Sequence, residues 1–479
     1  MNYDAIIIGA GLGGLTAGAK LAKEGRKVLV VEQHSKPGGC ATTFRRSGYT
    51  LEVGLHEMDG PSPRDMKTRI FNELEVFENV KFVKVPEFYR FVNDRVDITI
   101  PHDPAEAARR LKEVYPAESD GIDAYFEQIL NPKRKPAGGN DAHEKSLGEF
   151  LDSIIRNDDL KLVLLGNLGY FTDDPYSISL TYYSVAQGSY YRNGASFIMG
   201  GSQNLSDHLA NFIRRHGGTL LLNHLVTGIT TDDNKLTGIT YRKSRSSSQE
   251  ILTAHGSEII ANAALPGMAQ LLPGEFAERL KDGIAGQKPG ASLLTIYFGF
   301  KNPLRKIGNN SYSTFVFDNS VRSQADILKN NKGDFSRRSF AFIDYGQIDS
   351  GLAPDGKSVG AVCCIDYLNH WEYLSDYEYK SGKKEIADIF IGRLEKLLPG
   401  ISGEIEYYET GTSATVRRYT LNPGGAVYGF AQIPSKPVIG VSSVAENLHV
   451  ASAWDKTGGG FSGAIFSGYL CASGILRRR

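Results

Sequence analysis

Apolar residues run unbroken from Ala5 to Ile8 and stop at glycine. They resume at Leu12, Leu15, Ala19 and Ala22 with helical spacing. The first run, with Asp4 before it, predicts a buried parallel strand. The second predicts a helix over 12–24, ended by Gly25. Another apolar run between Lys27 and Glu32 predicts a second strand. Strand, glycine turn, helix and strand thus follow one another within about 30 residues, the length of one βαβ half.

Farther along, the pattern is mixed from Tyr49 to Met199. Met66, Ile70, Leu74 and Phe77 are expected on one helical face, as are Leu147, Phe150, Leu151, Ile154 and Ile155. The run from Tyr170 to Phe197 is rich in tyrosine and reads either as core or as the wall of a ligand pocket. An α/β pattern returns with a helix over 205–216, ended by Gly217-Gly218, and strands over 219–222, 226–231 and 258–260. Segments 291–300, 339–345 and 358–367 predict strands of a separate sheet, and 385–398 an amphipathic helix. The chain ends as it began: a strand over 448–451, Gly458-Gly459-Gly460, and a helix over 462–476. Two polar stretches, 131–145 and 243–250, read as loops. The first is long enough for a lid, and the second is expected to join two strands. No internal repeat is visible.

A chain of 479 residues has room for two or three domains. Its 54 basic and 54 acidic residues cancel, so nothing argues for nucleic acid. The basic run Arg477-Arg478-Arg479 follows a predicted helix, whose negative end it complements. Four cysteines (Cys40, Cys363, Cys364, Cys471) form neither a disulfide framework nor a zinc pattern, and adjacent Cys363 and Cys364 should point to opposite faces of a strand. No apolar run reaches the ~18 residues of a spanning helix, and the first strand leaves no room for a signal peptide. The expected location is cytoplasmic, with a peripheral membrane contact left open.

The opening turn carries the chemistry. Gly9, Gly11 and Gly14 supply G-x-G-x-x-G: a tight turn, a close approach for a pyrophosphate, and close packing of helix on strand. Leu12 starts the helix whose positive end faces the phosphates. Glu32 closes the second strand, about 20 residues on, where a carboxylate accepts from ribose hydroxyls and repels a 2′-phosphate. The alternative is a tight turn in an empty α/β domain. A second glycine pair, Pro37-Gly38-Gly39-Cys40-Ala41-Thr42, allows another close approach to the same pyrophosphate. A final strand, glycine cluster and helix suit a long flavin nucleotide better than NAD.

These patterns resemble the FAD-dependent family of phytoene desaturases, carotenoid isomerases and retinol saturases over nearly the whole chain. The likeness is strongest in the N-terminal unit, in 37–56, from Gly200-Gly201-Ser202-Gln203 to Val226, and from Gly460-Phe461-Ser462-Gly463-Ala464 to Ser473. Asn262-Ala263 and 422–429 also look like family positions. Cys40, where typical desaturases and amine oxidases carry arginine, and the Gly-Phe-x-Gly-Ala ending resemble the isomerase and saturase side. Many relatives have Gly-Asp after the final strand. Here the run is Ser452-Ala453-Trp454-Asp455-Lys456, with Asp455 as a shifted candidate.

The resemblance implies an α/β fold. A discontinuous Rossmann-like FAD-binding domain (1–60, 195–290 and 415–479; parallel sheet) would carry an inserted α+β substrate domain (61–194 and 291–414) with a helical lid, as in amine oxidases and phytoene desaturases. It implies that Gly9, Gly11, Gly14 and Gly39 face the pyrophosphate and that Leu12, Gly38, Cys40 and Thr42 also bind the cofactor. Glu32 would take the ribose and Val226 the adenine, with Asp455, Gly459, Gly460 and Phe461 beside the ribityl chain and ring. His56 is the candidate catalytic side chain, as proton donor, polar anchor or core residue, and Trp454 and Lys456 are candidates near the substrate. The implied activity is oxidoreduction at C–C double bonds of an apolar polyene or isoprenoid lipid by hydride transfer at flavin N5, as saturase, desaturase or isomerase. An unidentified electron donor or acceptor would serve it. The competing readings are a flavin amine oxidase and a non-catalytic prenyl-lipid carrier of the same fold. The scattered histidines predict no metal site.

Overall fold

A computed structural model describes residues 2–132, 144–245, 250–435 and 441–478. The expected lid loop at 131–145 lies almost entirely outside the described residues, as does the middle of 243–250. Among the described residues the strands form two seven-stranded sheets and two small ones.

In the first sheet, five strands run parallel in the order Thr219–Leu221, Val28–Val31, Asn2–Ile8, Leu252–Ala261 and Leu448–Val450. Both faces of this sheet are covered, which explains the continuous apolar runs at 5–8 and 28–31. Residues 252–255 pair antiparallel with Lys235–Lys243, which pairs in turn with His224–Asp232. Residues 259–261 pair instead with the C-terminal strand. Segments from the start, middle and end of the chain therefore lie side by side.

The helix Leu12–Lys23 covers one face of this sheet together with helices Gln203–Arg215 and Gly460–Arg477. A Cβ on Gly468 would lie 2.1 Å from the carbonyl oxygen of Gly13, and one on Gly13 would lie 2.2 Å from that of Ala451. Glycine at 468 lets the last helix touch the first turn, and glycine at 13 lets that turn meet the end of the C-terminal strand.

The second sheet runs Ile405–Gly411, Ser292–Phe300, Ser358–Asp366, Phe340–Asp344, Ser313–Val316, Tyr89–Val92 and Asp97–Ile100. It is antiparallel except where 314–316 meets 90–92. Leu294, Ile296, Phe298 and Phe300 face the long helix Asp376–Leu397. Alternate residues such as Tyr297 face the other core. Cys364 belongs to the core under the long helix, Cys363 bonds Thr295 on the neighbouring strand, and all four cysteines are free.

The expected face Met66–Ile70–Leu74–Phe77 is corrected. The helix ends at Glu73, Glu75 turns the chain with φ 55°, and a short helix follows over Val76–Asn79. Ile70 and Leu74 are buried, while Met66 and Phe77 reach solvent. The helix expected at 385–398 starts earlier, at Asp376, because Ser375 and Glu378 form a capping box. Among the described residues no helix is long and apolar enough to cross a membrane, and no cluster of histidine, cysteine and carboxylate residues is arranged to hold a metal.

Candidate active site

Parallel strands end at one edge of their sheet, and ligands gather where the strand order reverses there. Here that edge collects Gly9, Glu32, Asn262 and Ala451, each one residue beyond its strand. Gly9 takes φ +100°, a conformation that disfavours any side chain. Gly38 N–H donates to the Ala10 carbonyl at 2.7 Å and bridges Gly11. Gly39, at φ +61°, would place a Cβ 3.4 Å from the Gly11 Cα. The two glycine turns therefore face one another with no side chain between them.

Glu32 is buried. Its Oε2 accepts from the Ala10 N–H and its Oε1 from the His34 N–H, both at 2.8 Å. Burial pushes its pKa up against the pull of these donors. Thr42 Oγ1 bonds Gln203 Oε1 at 2.5 Å, and Gln203 Nε2 donates to the Pro37 carbonyl at 3.0 Å. Burial raises the half-buried Cys40 thiol to about 11, so it remains protonated. Glu52 takes hydrogen bonds from Ser202 N–H and Oγ and from the Gly54 and Leu55 N–H groups, yet burial lifts it to about 6. It ties residues 54–55 to Ser202, next to the Gly200-Gly201 turn.

Asn262 is a clamp that sequence reasoning placed only as a family position. Its Oδ1 accepts from the Gly14 N–H at 2.9 Å across 248 residues. Its main chain meanwhile continues from the neighbouring strand, with its N–H on the Ile8 carbonyl. Neither the helix starting at Leu12 nor the helix starting at Gly460 has a side-chain cap. Both leave amide donors at their starts.

The C-terminal glycines meet tyrosines. A Cβ on Gly458 would sit 2.6 Å from the Tyr182 ring, and one on Gly459 2.4 Å from the Tyr428 carbonyl. Gly460 takes φ +75° with open space beside it. Phe461 is half-buried at the first turn of the last helix. Asp455 accepts from Ser467 Oγ at 3.0 Å, one turn and more into that helix. Trp454 packs edge-on against Phe430 in the core behind the first sheet, where Val226 also lies, and Lys456 is exposed. The structure thus gathers 9–14, 32 and 38–42 at one edge, and 455–461 follow the C-terminal strand that ends there. Trp454 and Val226 sit in the core beneath, and Lys456 points to solvent.

Around His56 the chain buries a cluster of tyrosines. Three successive carbonyls receive a hydroxyl there: Leu55 from Tyr345 at 3.1 Å, His56 from Tyr312, and Glu57 from Tyr190 at 3.4 Å. His56 Nδ1 bonds the Tyr170 hydroxyl at 2.8 Å. Burial lowers His56 to about 4, so its ring is neutral near pH 7. Burial holds Tyr170, Tyr190, Tyr312 and Tyr345 well above the ordinary tyrosine range, so they remain hydroxyl donors. A mainly apolar pocket opens from Tyr170 past Leu168, Leu293, Phe315 and Cys363.

Over residues 12–476 the chain matches the family of flavin containing amine oxidoreductases. All-trans-retinol 13,14-reductase of Danio rerio is 24% identical over 100% of this chain and 86% of its own length. Chloroplastic prolycopene isomerase 2 of an Oncidium hybrid cultivar is 26% identical over 98% of this chain and 83% of its own. Among solved structures, an oxidoreductase from Methanosarcina mazei superposes with a TM-score of 0.68 at 18% identity, covering 100% of both chains. Putrescine oxidase bound to putrescine superposes with a TM-score of 0.65 at 16% identity, again over 100% of both. The solved structures share the fold: a Rossmann-like α/β domain with a second domain inserted.

Proposed function

The chain belongs to the flavin containing amine oxidoreductase family and is an FAD-dependent oxidoreductase, and from that premise we propose that it acts on C–C double bonds of an apolar polyene lipid. The observation that carries the proposal is the grouping of a neutral histidine, protonated tyrosines and the mainly apolar pocket that Tyr170 lines. Such a lining suits a conjugated chain and excludes water.

The residues present fit FAD. On this reading the amides at the start of the helix from Leu12, with Gly11, Gly38 and Gly39, hold the pyrophosphate. Glu32 keeps lone pairs free for the ribose hydroxyls, since each carboxylate oxygen accepts one main-chain hydrogen bond. Gly459, Gly460 and Phe461 lie beside the ring, and the uncapped start of the last helix offers its positive end there. When bound, the flavin supplies hydride transfer. His56, neutral and held by Tyr170, orients the tyrosine cluster and takes or gives a hydrogen bond at its free ring nitrogen. The discontinuous domain division given above and a helical substrate lid are parts of the same reading.

Anaerobic incubation of the reduced and the oxidised protein with a panel of polyenes tests this directly. Product mass is expected to show two hydrogens gained, two lost, or a changed isomer at unchanged mass. Turnover of primary amines with no change in any polyene would overturn the proposal.

An apolar substrate has to leave a membrane, so a peripheral contact belongs to this reading. Tyr373 and Tyr377 are 87% and 81% exposed, and Leu374, Tyr419 and Leu421 are exposed as well. The Arg417–Glu372 pair, at 3.7 Å, brings these two segments together. Vesicles of neutral and anionic phospholipid are expected to float the wild-type protein, and Tyr373→Asp/Tyr377→Asp/Tyr419→Asp is expected to remain at the bottom of the gradient. Wild-type protein that stays down at every ionic strength would count against the contact.

A further inference from the structure

We propose that Glu57 anchors the polar end of the substrate, so that the enzyme takes a long apolar molecule ending in a free hydroxyl. This rests on the polyene-lipid reading above.

Glu57 is 9% exposed, and its Oε2 is buried with no hydrogen-bond partner. The hydroxyls nearest it are already committed. Tyr170 serves the His56 ring, Tyr312 the His56 carbonyl, and Tyr190 the carbonyl of Glu57 itself. Buried polar side chains are ordinarily satisfied, so this oxygen calls for a partner from outside the chain. The Glu57 carboxyl lies close enough to Tyr170, Tyr190 and Tyr312 for its charge to act on each of them. Tyr170 is also a wall of the apolar pocket. On this proposal an apolar tail lies along Leu168, Leu293, Phe315 and Phe317, and its polar end reaches past Tyr170 to the carboxyl.

The chemistry selects the end group. Burial, aided by the nearby Glu87 carboxylate, pushes Glu57 well above the ordinary carboxyl range and so favours its protonated form. A neutral carboxylic acid donates one hydrogen bond and accepts another. An alcohol does the same in the opposite sense. An ester end lacks the donor, and a hydrocarbon end lacks both.

The test is equilibrium binding of radiolabelled all-trans-retinol and its acetate ester, in detergent micelles, to the FAD-loaded protein. Wild type is expected to prefer the alcohol by about tenfold or more, the effect of leaving a buried partner unpaired. Glu57→Leu is expected to bind the two alike. Glu57→Gln, whose amide both donates and accepts, is expected to keep part of the preference. Flavin content and melting temperature show whether each variant is folded. Equal binding of the two probes by wild type would overturn the anchor while leaving the lipid reading intact, and it needs no variant. Persistence of the preference in folded Glu57→Leu would overturn it too. Binding of neither probe would overturn the lipid reading and the anchor with it.

Discussion

A Gly14→Val variant is expected to purify colourless. A Cβ at this position would lie 2.5 Å from the Gly9 carbonyl oxygen and 3.0 Å from the Asn262 side chain. Neither neighbour can yield cheaply. The first is main chain inside the turn, and the second is held by its bond to the Gly14 N–H. Relieving the clash moves the helix start away from the strand end, so its free amides no longer converge on the pyrophosphate. The expected loss of FAD affinity is about a hundredfold or more, ~2.8 kcal/mol. The ratio of flavin to protein absorbance after purification reads it out, with circular dichroism confirming the fold. Gly267→Ala, where an added Cβ meets nothing within 4 Å, serves as control. A Gly14→Val protein carrying one flavin per chain would remove the turn from the cofactor site.

The second large effect concerns stability. Lys67 is fully buried, with its Nζ 2.7 Å from Asp59 and 2.7 Å from Asp65. Asp59 also accepts from Ser462, in the first turn of the last helix, at 2.5 Å, and from Ser189. Burial alone would raise the Asp59 pKa, but Lys67 and the two serines outweigh it, and the net effect is a lowered value. Lys67→Met leaves two buried carboxylates without their cation, a cost of about 3–5 kcal/mol. The denaturant midpoint is expected to fall accordingly, and Lys67→Met/Asp59→Asn to recover part of the loss. The sign of the pH dependence follows. A carboxylate with a depressed folded pKa stabilises above its ordinary value of 3.8, and that contribution vanishes as pH falls through the folded value. The gap between wild type and Lys67→Met should therefore narrow in acid. A loss below ~1 kcal/mol at pH 7 would mean that solvent reaches the network.

Local signals carried much of this structure. The opening strand, turn and helix, and the helix at 203–215, lie within a few residues of where apolar spacing puts them, because each buries one continuous face. Three of the seven strands of the second sheet, at 292–300, 340–344 and 358–366, were legible for the same reason. Spacing failed at 66–77, where a left-handed Glu75 breaks what reads as one helix. Charge misleads at Lys67, which in sequence looks like a surface lysine. Asn262 and Gly14 meet across 248 residues, and no periodicity reports such a pair. The tyrosine-rich run read as core more readily than as pocket, since buried rings serve either; in the structure Tyr183 and Tyr191 are core, while Tyr170 lines the apolar pocket. Trp454, next to the final glycines in sequence, turns into the core because it finds Phe430 there.

The shared edge of strand 252–261 has a consequence for how the protein comes into being. Its second half stays uncovered until residues 448–450 arrive, so a nascent chain on the ribosome exposes three parallel hydrogen-bonding positions beside an apolar sheet. Pairings of such long sequence separation form slowly. Cofactor capture is therefore a late event in biogenesis, and the emerging polypeptide has reason to be shielded by a chaperone until its final segment docks.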